Sequence, residues 1–339
     1  MKRQGLESRR PSLESTGFAG ALRRRVLTPP ISETTVATRG FHDGGPEASA
    51  ILETVGATFL KGLSAAAEAR RVADADVALA DLAPRFKGFA YEGAGMGFAL
   101  VDALTPGRPH RVAEFLAGPG EPHVYMAYVG IGWALARLPR PLWRRASAAA
   151  TDPLLRWLVL DGYGFHQAYF HTGDYVHAHQ ETPAFRWPAD GPARYAARVI
   201  DQGIGRACWF VAGADPSGVA DLVDRFPARR QQDLYSGVGL AVTYAGGCDD
   251  DGLRALLRRS GEHACHLAQG SAFAAQARIR AGLLVPHTER ATRVLCRMTA
   301  QEAGAVTGAL IPSGPGKDGT PAYEMWRSSI AARLRVPVR

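Results

Sequence analysis

Residues 160–171 read LDGYGFHQAYFH, the densest mix of acid, histidine and aromatic side chains in the chain. The stretch opens on a pattern, one residue followed by Gly-x-Gly, that recurs. It reads Glu92-Gly93-Ala94-Gly95, Val129-Gly130-Ile131-Gly132, Asp161-Gly162-Tyr163-Gly164, Gln202-Gly203-Ile204-Gly205 and Ser236-Gly237-Val238-Gly239, with a weaker copy at Gln269-Gly270-Ser271-Ala272. The first glycines stand 37, 32, 41, 34 and 33 residues apart. A period of about 35 residues suits one helical hairpin, two helices and two short connections. The expected fold is all-α, about six stacked helical hairpins. Six near-equal repeats permit an open TPR-like α-solenoid or a closed α/α toroid.

Glycine inside a helix costs about 1 kcal/mol relative to alanine, so these copies together cost roughly 10 kcal/mol, as much as the net stability of a domain. Something must offset that. Glycines at i and i+2 lie about 200° apart around a helix and open opposite sides of it. A helix built this way can sit between two close neighbours. The alternative is that the glycines let backbone approach a ligand.

The residue before each first glycine is Glu92, Val129, Asp161, Gln202, Ser236 or Gln269, and four positions later stand Met96, Trp133, Phe165, Arg206, Leu240 and Phe273. Positions i and i+4 share a helix face. A repeat aligns such faces along one concave surface. Carboxylates, amides, aromatics and an arginine make a poor core and a reasonable pocket. Glu92 and Asp161 are candidate catalytic acids and bases, since carboxylates in an apolar pocket hold their protons to higher pH; as helix caps or first-turn acids they would only complement the helix dipole. His166 is placed beside them. Tyr91, Trp133, Phe165, Tyr169, Gln202, Arg206 and Trp209 are candidate substrate contacts.

The chain has 339 residues and 46% apolar side chains, enough for a sizeable core, and a net charge of +8. Residues 1–46 hold eight Lys/Arg and four acids, so half the excess lies in that Pro-, Ser- and Arg-rich segment. It reads as a flexible basic arm, within which Leu22 to Leu27 suits a short helix or docking strap. Residues 47–312 form the helical-repeat domain, and 313–339 a C-terminal extension with a short helix. No finger, RNP or basic-helix motif supports nucleic-acid binding. No apolar run reaches membrane-span length, no signal-peptide core is visible, and the four cysteines form no C-x-x-C pair; free thiols in a cytoplasmic protein fit best.

The 41-residue gap arises from Thr172 to Gly191, a non-periodic stretch carrying Pro183 and Pro188, which reads as a candidate lid or site loop. His166, His171, His177 and His179 cluster near it. His166 and His171, about 140° apart on a helix, share no ligand face, and no metal site is assigned; the cofactor is left unknown. Cys208 suits a nucleophile or a buried structural thiol. Asp249-Asp250-Asp251 suits a helix cap, and Asp215-Pro216-Ser217 a helix start. The D-x-D-D and D-D-x-x-D signatures of chain cyclases are absent.

Phe89-Ala90-Tyr91-Glu92-Gly93-Ala94-Gly95-Met96, the block Asp161 to Phe170, and Asp201 to Arg206 with Trp209-Phe210 together resemble the UnbL-type family, bacterial proteins found alongside enediyne polyketide synthases. The resemblance runs from about residue 46 onward. It implies a role in enediyne core formation from a linear polyene and supplies no established catalytic residues. The expected function is therefore an enediyne or polyketide biosynthesis protein of secondary metabolism. It would bind a polyene or other apolar intermediate in its concave face and assist its maturation. A non-catalytic scaffold for a polyketide synthase or another pathway protein is the alternative, and a polyene or isoprenoid cyclase a third reading. A deep pocket burying Glu92 and Asp161 favours an enzyme; a groove leaving them solvated favours a scaffold.

Overall fold

A computed structural model describes residues 17–181, 185, 187 and 192–335. Among them the regular elements are helices, and no strand forms. The first three are α1 (Phe18–Leu27), α2 (Val36–Arg39) and α3 (Pro46–Glu68). Then come α4 (Val72–Leu79), α5 (Pro84–Leu104), α6 (Arg111–Ala117), α7 (Val124–Arg137), α8 (Arg140–Ala146) and α9 (Leu158–Phe170). After a π-helical turn at Gly173–His177 follow α10 (Tyr195–Val211), α11 (Pro216–Asp224), α12 (Ala228–Ala245) and α13 (Asp250–Arg259). The chain closes with α14 (Ala264–Arg280), α15 (Pro286–Leu295), α16 (Ala300–Ala309) and α17 (Ala322–Arg333). None of these helices is long and apolar enough to cross a membrane.

Local chemistry explains many of the starts. Pro46, Pro84, Pro216 and Pro286 occupy first-turn positions, where the missing N–H is no loss. Asp215 caps α11 through the Ser217 and Gly218 amides, and Asp249 caps α13 through Gly252. Both caps fall where the sequence places them. The break between α13 and α14 falls at Ser260–His263, and Gly270 sits inside α14.

The long helices α3, α5, α7, α9, α10, α12, α14 and α16 form one row, each packed on the next, while α4, α6, α8, α11, α13 and α15 lie outside it. The repeated glycines set the spacing of that row. A Cβ on Gly130 would run into the carbonyl oxygen of Glu92 on α5, and one on Gly132 into that of Val159 on α9. The same holds at the next steps: Gly162 faces the Val129 carbonyl, Gly203 that of Asp161, Gly237 that of Gln202, and Gly270 that of Ser236. The first glycine of each copy thus rests on the residue that opens the previous copy, and the second faces the following helix. Close packing and Cα–H···O contacts along these lines offset the helix-propensity cost.

The row curls so that α5 meets α12 and α14 across it. Phe89 on α5 meets Tyr244 on α12 edge-on, with ring centroids 5.1 Å apart. Arg278 on α14, fully buried, donates to the Arg85 carbonyl at 3.0 Å and to that of Leu283 at 3.1 Å, and its guanidinium lies 4.1 Å from the Tyr244 ring centroid.

The described parts of both terminal segments belong to the body. Of residues 1–46, read as a flexible basic arm, 1–16 lie outside the described residues, and 17–45 form α1, a 3-10 turn at Ile31–Thr34 and α2. Arg23 donates to the Ala67 carbonyl at 2.9 Å, Arg137 to the Leu27 carbonyl at 2.9 Å, and Thr34 seats against Gly56, where a Cβ would clash. Polar composition misleads here because arginine can donate to the exposed carbonyls at helix ends. The C-terminal helix, read as an extension, plugs the interior: Tyr323 and Trp326 are buried, and Arg327 pairs with Asp233 at 2.8 Å.

Candidate functional site

Glu92, Met96, Trp133, Phe165, Tyr169 and Arg206 line a cavity of about 570 Å³ inside the curled row, a volume typical of small-molecule sites. His166 lines it too. Trp133 is the hub of the wall. Its ring centroid lies 4.4 Å from Phe59, 5.1 Å from Phe165 and 5.5 Å from His166. The Arg206 guanidinium stands 4.9 Å from the Phe165 ring centroid, which favours a cation.

Glu92 and Asp161 face each other through Arg206. Arg206 forms a tight ion pair with Asp161 and approaches Glu92 Oε1 at 3.5 Å; the Trp133 indole N–H donates to that same oxygen at 3.1 Å. Behind Arg206 the chain continues: Gln202 Nε2 donates to Asp161 at 2.8 Å and to the Tyr323 hydroxyl at 3.2 Å. Four residues from the repeat positions therefore join in one buried polar line, Glu92–Arg206–Asp161–Gln202, ending on the C-terminal helix.

Burial divides the roles. Glu92 is 2% exposed and Asp161 1%, so neither is a solvated groove residue. Burial pushes the Glu92 carboxyl up to about 7, the Asp161 charge adds to this, and Arg206 opposes it. Burial works against the Arg206 charge as well, but Asp161 and Glu92 outweigh it and hold the cation. His166 is pushed down to about 3 by burial, with Arg137 and His171 adding to the effect; its imidazole is neutral at neutral pH. The arrangement offers one carboxyl that exchanges a proton near neutrality, beside a permanent cation and in contact with an aromatic-walled space.

Asp161 and Gln202 lie behind the cavity wall rather than in it. Two expected substrate contacts lie elsewhere. Tyr91, one residue from Glu92 and so about 100° around the helix, points outward, bonds to Asp76 and stacks on His123 at 3.7 Å between centroids. Trp209 is fully buried and donates to the Gly246 carbonyl at 3.0 Å, closing the end of α12. The segment from Thr172 is not the cover of the cavity in its described part: Phe185 packs on Trp143 and Tyr163 outside the row, with centroids 5.3 and 5.1 Å away. The residues numbered 182–184, 186 and 188–191, which include Pro183 and Pro188, lie outside the described residues.

Sequence reading missed Arg137 and Phe210, yet the signal was present. Extending three of the six rows by one more turn gives Val129–Trp133–Arg137, Asp161–Phe165–Tyr169 and Gln202–Arg206–Phe210, whose end residues line the cavity, while the other three extensions, Leu100, Tyr244 and Ala277, do not. Nothing in the repeat points to Pro29, Pro30, Glu33, Thr34 and Arg39, which cover the cavity from the N-terminal strap.

No group of three or more His, Cys, Asp or Glu side chains among the described residues is placed to share a metal ion. Cys208 is buried and its thiol is pushed up to about 12 by burial, which suits packing rather than nucleophilic attack. Residues 18–334 match the family described as "Protein of unknown function (DUF1702)". No curated protein and no solved structure matches the chain.

Proposed function

The chain belongs to this DUF1702 family, and from the geometry of its interior we propose that it is a biosynthetic protein that takes an apolar, polyene-like intermediate into the cavity and assists its maturation by proton transfer at Glu92. The carrying observation is the Glu92 carboxyl, buried in a wall of aromatic rings that raises its pKa to about 7. A conjugated chain offers polarisable faces to Trp133 and Phe165 and carbon atoms that accept or release a proton. Arg206 would steady the charge that appears when Glu92 gives up its proton, and Asp161, tied by Gln202, would hold Arg206 in place. In this reading the curled row works as a closed cup rather than an open TPR-like groove. The likeness of the Phe89–Met96 and Asp161–Phe170 blocks to UnbL-type proteins supports enediyne polyketide formation as the pathway. The scaffold reading requires solvated repeat residues, and the burial of Glu92 and Asp161 weighs against it.

The test is metabolite profiling of the source strain carrying Glu92→Gln, with soluble protein measured in parallel. Loss of the mature product with accumulation of a polyene, at unchanged protein level, is the expected outcome. Undiminished product would sink the proton-transfer role.

A further inference from the structure

The two ends of the cavity carry different electrostatics. At the inner end Arg206 already faces two carboxyl groups, Asp161 and Glu92. At the outer end Arg39, Arg137, His166 and His171 line the cavity with a single acidic side chain, Glu33. They gather around Phe170: the Arg39 guanidinium is 5.0 Å from its ring centroid, and the His166 ring 4.7 Å. Arg39 touches Glu33 through one terminal nitrogen at 3.4 Å, while its Nε is buried without a hydrogen-bond partner. Arg137, the last residue of α7, donates to the Leu27 carbonyl and has no carboxylate of the described residues within ion-pair distance. Burial alone holds it below the ordinary arginine range. Glu53 is already engaged by the Val36 amide at 3.0 Å.

An arginine half-withdrawn from water without a counter-charge is unfavourable unless something else supplies that charge. Planar guanidinium N–H groups at the end of an apolar space match a carboxylate. We propose that the ligand is an amphiphile, an apolar chain ending in a free carboxylate, with the carboxylate held by Arg39 and Arg137 under the N-terminal strap and the chain running past Trp133 and Phe165 toward Glu92. This rests on the small-molecule reading given above and adds the ligand's head group and direction. It also gives the strap a function: Pro29 and Pro30 close the cavity beside the two arginines, so the head group enters last and the chain end reaches Glu92.

The full-length protein is titrated with cis-parinaric acid, a fluorescent conjugated tetraene carboxylate, and separately with its methyl ester, at about pH 8, where the acid is ionised. The acid should bind at least about tenfold more tightly than the ester, the worth of one or two charge-assisted hydrogen bonds. In Arg137→Met that preference should fall to less than about threefold while the affinity for the ester stays unchanged, and Arg137→Lys should restore part of it. Arg39→Met, on the strap, gives the same reading should the first variant not fold. Equal binding of acid and ester by the unaltered protein overturns the carboxylate site and leaves the apolar cavity reading intact. A preference for the acid that survives both methionine variants also overturns it. Failure to bind either probe overturns both readings together.

Discussion

The interior of the curled row has two halves built from the same repeat positions. Between α5 and α10 those positions are Glu92, Met96, Trp133, Phe165 and Arg206, and the space they enclose is about 570 Å³. Between α12 and α14 they are Leu240 and Phe273, with Ser236 donating to Gln269 at 2.7 Å, and the remaining void, which Arg206 also borders, is about 40 Å³. The difference lies in what covers each half. The N-terminal strap spans the first and leaves it hollow. The α17 helix fills the second, with Trp326 4.6 Å from Phe273 between ring centroids and its indole N–H donating to the Thr307 carbonyl at 2.9 Å. Arg206 with its two carboxylates forms the partition. One repeat architecture can thus make a core or a binding cavity, depending on whether a foreign helix is threaded through it.

Three perturbations would break or sharpen this contrast. The largest effect is expected from Gly203→Val, whose added side chain would collide with the Asp161 carbonyl at the partition. Because backbone rather than a flexible side chain stands in the way, the cost should exceed the roughly 1–3 kcal/mol of ordinary overpacking. Loss of the cooperative thermal transition, or of soluble protein, is the expected result; a variant with unchanged Tm would mean the glycine contacts do not set the helix spacing.

Next in size is Trp326→Ala, which should cost about 3–5 kcal/mol and extend the hollow into the second half. Chemical denaturation reads the first effect, and a new binding capacity for small apolar ligands such as benzene reads the second. A small loss of stability with no such capacity would show that the second half collapses around the gap and that α17 is not what keeps it closed.

The smallest effect is expected from Glu92→Gln, and it depends on pH. In the folded protein the Glu92 carboxyl holds its proton up to about pH 7, against 4.5 for an unperturbed glutamate. Between those values the folded state binds a proton that the unfolded chain has released, so this group's contribution to stability falls as pH rises and levels off above 7. A glutamine side chain at this position does not titrate and would carry no such dependence. The variant's stability relative to the unaltered protein should therefore rise by about 3 kcal/mol at most from pH 4.5 to 8. Comparing the two proteins at each pH is necessary, because His123, His166, His266 and His287, each pushed down to about 3–4 chiefly by burial, weaken both proteins as pH falls below the ordinary histidine range. A difference that stays constant across this range would place Glu92 in a wetter setting than the burial indicates.

The period of the Gly-x-Gly pattern and its 200° geometry were enough to read an all-α chain of stacked helices and a shared face running from Glu92 to Phe273. Both follow from local rules: helix pitch fixes which residues align, and a missing Cβ fixes where helices touch. The candidate site was legible to the same extent. Trp133, Phe165 and Arg206 lie where the row predicts, and Tyr169, Arg137 and Phe210 stand one turn further along three of its helices. What only the tertiary structure decided are the long-range pairings: that Arg206 stands between Glu92 and Asp161, that Tyr91 and Trp209 turn to other partners, that Arg39 folds back over Phe170, and that the last helix fills half of the interior. Residues far apart in sequence meet there because the row curls, and the curl is a sum of small offsets at every helix contact that no single segment of the chain encodes.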